Sequence, residues 1–368
     1  MSKNSKDIVF VSALRTSVGK LNGNHKNLQA HELGSLVIKS ILDDTKIEPN
    51  KIDEVILGQV LPSLSGQNPA RQASINAGIP KENTAFNINQ VCGSGLRAIV
   101  IGYESLSMGS SNYIVAGGQE SMTNSNEKEL STNGLIDAFK NYHMGVTAEN
   151  IAIKYNITRE DQDKFALNSQ AKAENAIKNK RFINEIIDNN EDEHPRFNLN
   201  IETLRNLKPA FKNNGTVTAG NSSGINDGAA CVLLSRRDLA EKNNLNINAK
   251  IVSWATSGVD PSLMGLGPIP SSLKALEKAG WNINDVDLIE CNEAFAAQTL
   301  SVVKELNIPD ERLNVNGGAI ALGHPIGASG ARLIVTLIHE MIKRNNKKGL
   351  VTLCIGGGMG ISMCIERD

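Results

Sequence analysis

The chain has 368 residues, more than one hydrophobic core normally serves, so two or three domain-sized units are expected. Its 38 lysines and arginines nearly balance its 39 aspartates and glutamates, and a net charge of −1 gives no basic surface for a nucleic-acid backbone. Hydrophobic residues at 40% and charged residues at 21% are typical of a globular protein, and no apolar run has the roughly 18–20 residues of a membrane helix.

The first third of the sequence alternates between strand and helix patterns. Residues 1–6 show no apolar or arginine-rich leader pattern, so no targeting segment is expected. The predicted elements are strands over 7–12, 53–58 and 113–116, and helices over 31–42 and 95–108. The apolar stripes of the two helices are formed by Leu33, Leu36, Val37 and Ile41, and by Leu96, Ile99, Val100 and Leu106. Such alternation predicts an α/β sheet with helices packed on its faces.

The middle of the chain, residues 121–245, differs in composition. Asn124–Asn133 and Asp188–Asn200 are polar, and Arg159–Lys180 has the pattern of an amphipathic helix. Long connections inside compact folds usually form lids or binding surfaces. We therefore predict a loop domain inserted over 121–245, with the last strand of the N-terminal half near 229–235.

The C-terminal third repeats the pattern of the first. Residues 287–290 resemble 53–56 at an offset of 234, and Ser329–Val335 resembles Ser94–Val100 at an offset of 235. Two matches at nearly the same offset predict a duplicated domain. The expected division is an N-terminal half over 1–120, the inserted loop domain over 121–245 and a C-terminal half over 246–368.

A cysteine lies where a predicted strand leads into a predicted helix, in the segment Asn89–Gly95. The positive end of the helix dipole and the free backbone N–H groups there favour a thiolate. Cys92 is therefore a candidate nucleophile, with simple packing as the alternative.

A histidine lies among glycines in the segment Asn316–Gly330, just before the repeated helix. Because His324 mirrors Cys92 in the duplicated half, both helix N-termini are expected to meet at one cleft. The histidines interpreted as structural are His25, His31, His194 and His339.

Further candidates follow two C-terminal strands. Cys354 precedes a glycine run, but a phosphate-binding loop is disfavoured because no Lys-Ser/Thr follows and 361–365 has a strand pattern. Cys354 is better interpreted as a second reactive thiol beside backbone N–H donors. Cys291 is interpreted as packing, while Asn292 or Glu293 is a candidate to face the cleft.

The five cysteines form an odd set without a C-x-x-C pair, which argues against a disulfide framework or a structural zinc site and favours a reducing cytoplasm. A cysteine–histidine hydrolase would leave the second thiol unexplained. Two thiols instead suit a reaction with two tasks, covalent acyl capture and deprotonation of a carbon atom.

Taken together, the motifs resemble those of the thiolase family, most closely its short-chain biosynthetic branch, the acetyl-CoA C-acetyltransferases. The matching segments are 91–98, 117–122, 142–145, 217–229, 264–268, 291–298, 316–332 and 354–360. The resemblance implies an α/β thiolase fold, a five-layered αβαβα sandwich of duplicated βαβ halves with an inserted loop domain. It implies reversible Claisen condensation of two acetyl-CoA to acetoacetyl-CoA plus CoA by a ping-pong acyl-cysteine mechanism. No metal and no cofactor beyond the CoA thioester substrates is implied.

The resemblance also assigns roles to matching positions. Cys92 would take the acetyl group, His324 would accept its proton and later help to stabilise the enolate oxygen, and Cys354 would deprotonate the second acetyl-CoA. Asn292 would hold a water that, with His324, forms one oxyanion hole. The N–H groups of Cys92 and Gly356 would form the other.

The family's coenzyme A contacts fall on a further set of positions, namely Leu135, His143, Met144, Arg196, Ser223, Met264 and Phe295. Packing in the core is the alternative for Met264 and Phe295. His143 and Met144 recur in the short-chain members and would narrow the acyl pocket, which favours acetyl and acetoacetyl substrates.

Two segments, 123–142 and 183–192, are shorter than the family pattern, and the first corresponds to a loop that joins dimers into tetramers. A cytoplasmic homodimer that binds acetyl-CoA, acetoacetyl-CoA and CoA, but neither nucleic acid nor membrane, is therefore expected. The alternatives are a broad-chain degradative 3-ketoacyl-CoA thiolase and a non-catalytic, thiolase-like protein that binds acyl-CoA or lipid. The second is disfavoured because all four polar groups of the catalytic set are present.

Overall fold

A computed structural model describes residues 4–62 and 65–368, so part of the 1–6 segment inspected for a leader pattern lies outside the described residues. Within these ranges the strands are β1 (Ile8–Arg15), β2 (Gly19–Lys20), β3 (Glu54–Gly58), β4 (Thr84–Ile88), β5 (Tyr113–Ser121), β6 (Asn226–Arg236), β7 (Ala249–Gly258), β8 (Leu288–Cys291), β9 (Lys348–Ile355) and β10 (Met359–Glu366). The α-helices are α1 (Ala30–Thr45), α2 (Pro69–Asn76), α3 (Ser94–Ser107), α4 (Glu127–Glu129), α5 (Met144–Tyr155), α6 (Arg159–Lys178), α7 (Ile201–Arg205), α8 (Arg237–Lys242), α9 (Pro268–Ala279), α10 (Ala296–Leu306), α11 (Ala319–Leu322) and α12 (Ser329–Arg344).

The strands pair in the order β4-β3-β5-β6-β1-β7-β10-β9-β8, with β2 added beside β6. In the first half, β3 and β5 are parallel and β5, β6 and β1 are antiparallel. In the second half, β8 and β9 are parallel and β9, β10 and β7 are antiparallel. The same pattern in both halves confirms the predicted duplication.

The helices and half-sheets form five layers, and three hydrophobic clusters lie between them, of which the central one fills both interfaces of the middle helix layer. Helices α1 and α2 cover the outer face of the first half-sheet. Helices α3 and α12 lie between the two half-sheets and share one core with strands of both. Helices α9 and α10 cover the outer face of the second half-sheet. The central layer matters for function, because it begins at the two loops that carry Cys92 and His324.

The local sequence explains most element boundaries. Helix α6 begins with a capping box, in which Thr158 and Asp161 satisfy each other's backbone N–H groups. Helix α1 ends where Lys46 adopts a left-handed conformation. The predicted stripe of α1 is wrong at Leu36, which is 43% exposed, because Ile38 on the adjoining face is buried in its place.

Residues 123–225, which the structure describes throughout, form α4 to α7 and their connecting loops between β5 and β6. A buried arginine ties part of this segment to β1. Arg15 donates to Glu185 at 2.7 Å and to both carboxylate oxygens of Asp192 at 2.7 and 2.9 Å. The division at residues 120 and 245 stays a prediction.

Candidate active site

The Cys92 loop and the His324 loop meet because α3 and α12 begin side by side. A Cβ atom on Gly95 would lie 2.9 Å from the Ala331 nitrogen, and one on Gly330 would lie 2.5 Å from the Leu96 nitrogen. A side chain at either position would collide with the other helix's backbone, so the close approach depends on glycine. The repeated Ser-Gly-x-Arg sequence thus forms the contact between the two helices.

The Cys92 loop is a tight turn between β4 and α3. Val91, a β-branched residue, has a left-handed φ of 47°, a strained conformation that is common at functional sites. The Ser94 hydroxyl donates to the Val91 carbonyl at 2.7 Å and accepts from the Gln90 N–H at 2.8 Å, which fixes the turn. The thiol sulfur of Cys92 receives backbone N–H groups from Gly356 and from Cys92 itself.

Burial determines the ionisation of Cys92. It raises the pKa of the thiol to about 11, the nearby Glu120 adds to the increase, and the two N–H groups oppose it only in part. Desolvation therefore outweighs the backbone N–H groups that favour a thiolate at this position, and the resting thiol is neutral. A neutral thiol needs a base in order to attack.

His324 has the geometry of that base. Its Nδ1 lies 2.6 Å from the Ser329 hydroxyl, whose proton is donated to the Pro325 carbonyl at 2.8 Å. Nδ1 therefore carries the ring proton and donates to Ser329, which leaves Nε2 as the acceptor. The backbone N–H of His324 donates to Asn226 at 2.9 Å. Burial, with a smaller effect of Arg332, lowers the pKa of the imidazole to about 4, so the ring is neutral at physiological pH.

The other two catalytic candidates end parallel strands. Burial raises the pKa of Cys354 well above its ordinary value, and the charges that Cys92 and Cys291 would carry raise it further. Asn292 is fully buried and donates its backbone N–H to the Thr352 carbonyl at 3.0 Å. Across residues 4–62 and 65–368, neither Oδ1 nor Nδ2 of Asn292 has a hydrogen-bond partner. Such a side chain is equipped to hold a water or a ligand atom.

One cavity of about 390 Å³ collects most of the predicted site residues. Its walls include Cys92, His324 and Gly356 from the catalytic set, and Leu135, His143, Met144, Arg196, Ser223, Met264 and Phe295 from the coenzyme A set. Cys354 and Asn292 are not among its lining residues. Cys354 instead packs in a buried cluster with Met264 and Phe295, which form part of the cavity wall.

Several lining residues were not predicted as site residues, and Phe211 and His194 are among them. Phe211 stacks on His143 with ring centroids 4.4 Å apart and meets Phe295 edge-on at 6.0 Å. His194, interpreted above as structural, also lines the cavity, where burial and Arg196 lower its pKa to about 4, and its interpretation as structural stays a prediction. The sequence signal that could have placed His194 at the site is its position two residues before Arg196, a predicted coenzyme A contact.

Glu293, the other candidate after β8, does not face the cavity. Its carboxylate accepts from the Ser169 hydroxyl at 2.7 Å, from Asn314 Nδ2 at 2.8 Å and from the Ile320 N–H at 3.2 Å. It therefore links α6, the residues after β8 and α11. Of the two candidates, only Asn292 retains unpaired polar atoms.

Residues 4–62 and 65–368 hold no group of three or more His, Cys, Asp or Glu side chains placed to bind a metal ion. No helix in this part of the chain is both long and apolar enough to span a membrane.

Comparisons with known proteins cover nearly the whole chain. Residues 8–238 match the family model for the thiolase N-terminal domain, and residues 245–367 match that for the thiolase C-terminal domain. An acetyl-CoA acetyltransferase of Rhizobium meliloti (strain 1021) is 52% identical over 387 residues, which cover 98% of each chain. This alignment is longer than the 368-residue chain, so the relative carries insertions that this chain lacks.

Two solved structures share the fold. The crystal structure of the Bacillus anthracis acetyl-CoA acetyltransferase superposes with a TM-score of 0.95 at 40% identity, covering 99% of this chain and all of the other. Human mitochondrial 3-ketoacyl-CoA thiolase in complex with CoA superposes with a TM-score of 0.95 at 39% identity, covering 99% of this chain and 98% of the other.

Proposed function

Because the chain belongs to the thiolase family, we propose that it is an acetyl-CoA acetyltransferase, which condenses two acetyl-CoA into acetoacetyl-CoA and CoA and also catalyses the reverse reaction. The observation that carries the proposal is the convergence of Cys92, His324 and the Gly356 N–H on one cavity, with a second thiol buried behind its wall. The 52% identity to a full-length acetyl-CoA acetyltransferase supports the choice of substrate.

The first half-reaction transfers an acetyl group to Cys92. The thiol attacks the thioester carbonyl carbon while its proton passes to Nε2 of His324. The N–H groups of Cys92 and Gly356 then hold the acyl oxygen. Oxyanion donors of this kind are each worth about 2.7–4 kcal/mol. As the carbon–sulfur bond to CoA breaks, Cys354 protonates the departing sulfur, which leaves a Cys354 thiolate and a His324 imidazolium.

The second half-reaction forms the carbon–carbon bond. The Cys354 thiolate removes a proton from the methyl group of the second acetyl-CoA. Its raised pKa is useful here, because a weakly acidic thiol gives a strongly basic thiolate. The enolate oxygen is held by His324 and by a water on Asn292. The enolate carbon attacks the acetyl carbonyl, and the Cys92 sulfur leaves and recovers its proton from His324.

Coenzyme A is proposed to lie along the cavity, with the nucleotide end near Arg196 and the apolar lining residues around pantetheine. Space near the reacting sulfur is limited. A Cβ atom on Gly356 would lie 3.3 Å from Val91 Cγ1 and 3.8 Å from the Met144 sulfur. This confinement supports short acyl chains, and no metal or further cofactor takes part in the proposed steps.

Variants of single cysteines test the mechanism. We expect Cys92→Ser to take up no label from radioactive acetyl-CoA, and Cys354→Ser to retain partial labelling while condensation is lost. Cys364→Ser is the matched control, since Cys364 is buried on β10 beside the Ser253 hydroxyl and outside the cavity. Labelling of Cys92→Ser would show that the nucleophile is another residue.

Thiolysis across acyl chain lengths tests the substrate. Acetoacetyl-CoA is expected to be cleaved faster than a long-chain 3-ketoacyl-CoA, because Val91 and Met144, which line the same cavity as Cys92, leave little room beside Gly356. Preference for the long chain would instead support a 3-ketoacyl-CoA thiolase.

We also propose a homodimer in the cytoplasm. Strand β4 pairs only with β3 within the described part of the chain, so its other edge is open, and its residues Thr84–Ile88 are at most half-buried. An open edge of this kind supports pairing with a second copy. The five free cysteines support a reducing compartment. Light scattering that gives a stable tetramer mass would refute the dimer.

A further inference from the structure

A buried carboxylate lies beside the reaction centre and has no part in the steps above. Glu120, near the end of β5, is fully buried. Its Oε2 accepts the N–H groups of Val60 at 2.9 Å and Gly327 at 2.8 Å, and its Oε1 accepts the N–H of Leu61 at 3.1 Å. One carboxylate therefore binds two loops, one that follows β3 and one that joins His324 to α12.

These two loops form the wall beside the nucleophile. Val60 and Leu61 belong to one buried cluster with Ile326, and Cys92 packs against that cluster. Burial raises the pKa of Glu120 to about 7, and the charge of its ionised form raises the pKa of Cys92. The cluster and the charge effect place Glu120 near Cys92, and Glu120 is not among the residues that line the cavity.

We propose that Glu120 is a positioning residue, which clamps the Val60–Leu61 loop to the Gly327 peptide and so holds the His324 loop at its working distance from Cys92. The inference rests on the proposed function, in which Cys92 captures the acetyl group and His324 accepts the thiol proton. Gly327 fits closely against the clamp, since a Cβ atom there would lie 2.7 Å from Glu120 Oε2.

The clamp requires a carboxylate. Two carboxylate oxygens accept all three N–H groups, whereas an amide of the same shape has one acceptor oxygen and an NH₂ group. In Glu120→Gln, the NH₂ group would face at least one backbone N–H, and a buried donor would lose its partner. We therefore expect the loops to shift although the side-chain volume is unchanged.

The test measures single-turnover acetylation of Cys92 by acetyl-CoA. Glu120→Gln is expected to slow acetylation at least tenfold while the KM for acetyl-CoA changes less than about threefold, since displacement of reacting groups by about 1 Å costs on the order of 10²-fold. Alkylation of Cys92 by iodoacetamide should reach its midpoint at a lower pH, because a negative charge near the thiol is removed. A role in stability alone would not slow acetylation in the folded variant.

Asp53→Asn is the matched control. Asp53 accepts the N–H groups of Asn112 and Tyr113 at 2.7 and 3.0 Å at the opposite end of β5, about 23 Å along the strand from Glu120. The control should leave acetylation unchanged. The proposal is overturned if folded Glu120→Gln acetylates within twofold of the unmodified chain, or if Asp53→Asn slows acetylation equally.

Gly327→Ala covers the case in which Glu120→Gln does not fold. It keeps the carboxylate but pushes on it from the loop side, and we expect the same slow acetylation; a rate within twofold of the unmodified chain would overturn the proposal. If the unmodified chain is not acetylated by acetyl-CoA, the proposed function fails. The clamp is then judged by hydrogen exchange of the Val60, Leu61 and Gly327 amides, where faster exchange in Glu120→Gln supports it and unchanged exchange overturns it.

Discussion

The contact between α3 and α12 gives the sharpest prediction, the effect of Gly330→Ala. The new Cβ atom would lie 2.5 Å from the Leu96 nitrogen, about 0.9 Å short of an ordinary 3.4 Å contact. The helices must separate by roughly that distance, and overpacking of this kind lowers the free energy of unfolding by about 1–3 kcal/mol. Alanine in place of glycine inside a helix raises the free energy of unfolding by roughly 0.5–1 kcal/mol, which offsets part of that loss. The larger effect is on activity, because the nucleophile and the base lie at the starts of these two helices.

A displacement of about 1 Å at the reacting groups costs on the order of 10²-fold in rate, so we expect kcat for condensation to fall by about that factor. The assay is steady-state condensation, with thermal unfolding measured on the same samples. Gly102→Ala, also on α3, is the control, since its Cβ atom would meet only the side-chain carbons of Leu234 at 3.1 Å, Ile114 at 3.3 Å and Ala116 at 3.5 Å. A folded Gly330→Ala variant with kcat within twofold of the unmodified chain would refute the reasoning.

Three further predictions concern ionisation, binding and stability. The rate of Cys92 alkylation should keep rising with pH towards about 11, and a plateau near pH 7 would contradict this expectation. The value of kcat/KM should fall only as pH approaches about 4, because protonated His324 cannot accept a proton, and a midpoint near pH 6.5 would contradict this expectation. Phe211→Ala should raise the KM for acetyl-CoA about 2–10-fold with a smaller effect on kcat, because an aromatic stack is worth about 0.5–1.5 kcal/mol; an unchanged KM would exclude this contribution. Arg15→Ala should lower the free energy of unfolding, measured in urea, by about 3–5 kcal/mol, because two buried carboxylates lose their partner. Lys164→Ala removes one member of an exposed ion pair and should lower it by less than about 1 kcal/mol. Equal losses in the two variants would contradict this expectation.

Much of the fold and of the candidate site was predictable without coordinates. Hydrophobic periodicity located α1, α3, α6 and the first strands, because the period of an apolar pattern depends on near neighbours in the chain. The offset between two Ser-Gly-x-Arg segments revealed the duplication, which the strand order confirms. The motifs also indicated residues such as Cys92 and His324, and the seven expected coenzyme A contacts all line one cavity.

The properties that depend on distant parts of the chain were decided by the tertiary structure alone. The N–H groups at the start of α3 favour a thiolate at Cys92, but desolvation by surrounding elements outweighs them and raises the thiol pKa. Phe211 lines the cavity through contacts with His143 and Phe295 that no local pattern encodes. Glu120 meets Gly327 across 207 positions of sequence. Local sequence determines which residues share a helix face or a strand end, whereas burial and hydrogen-bond partners depend on what the folded chain brings alongside.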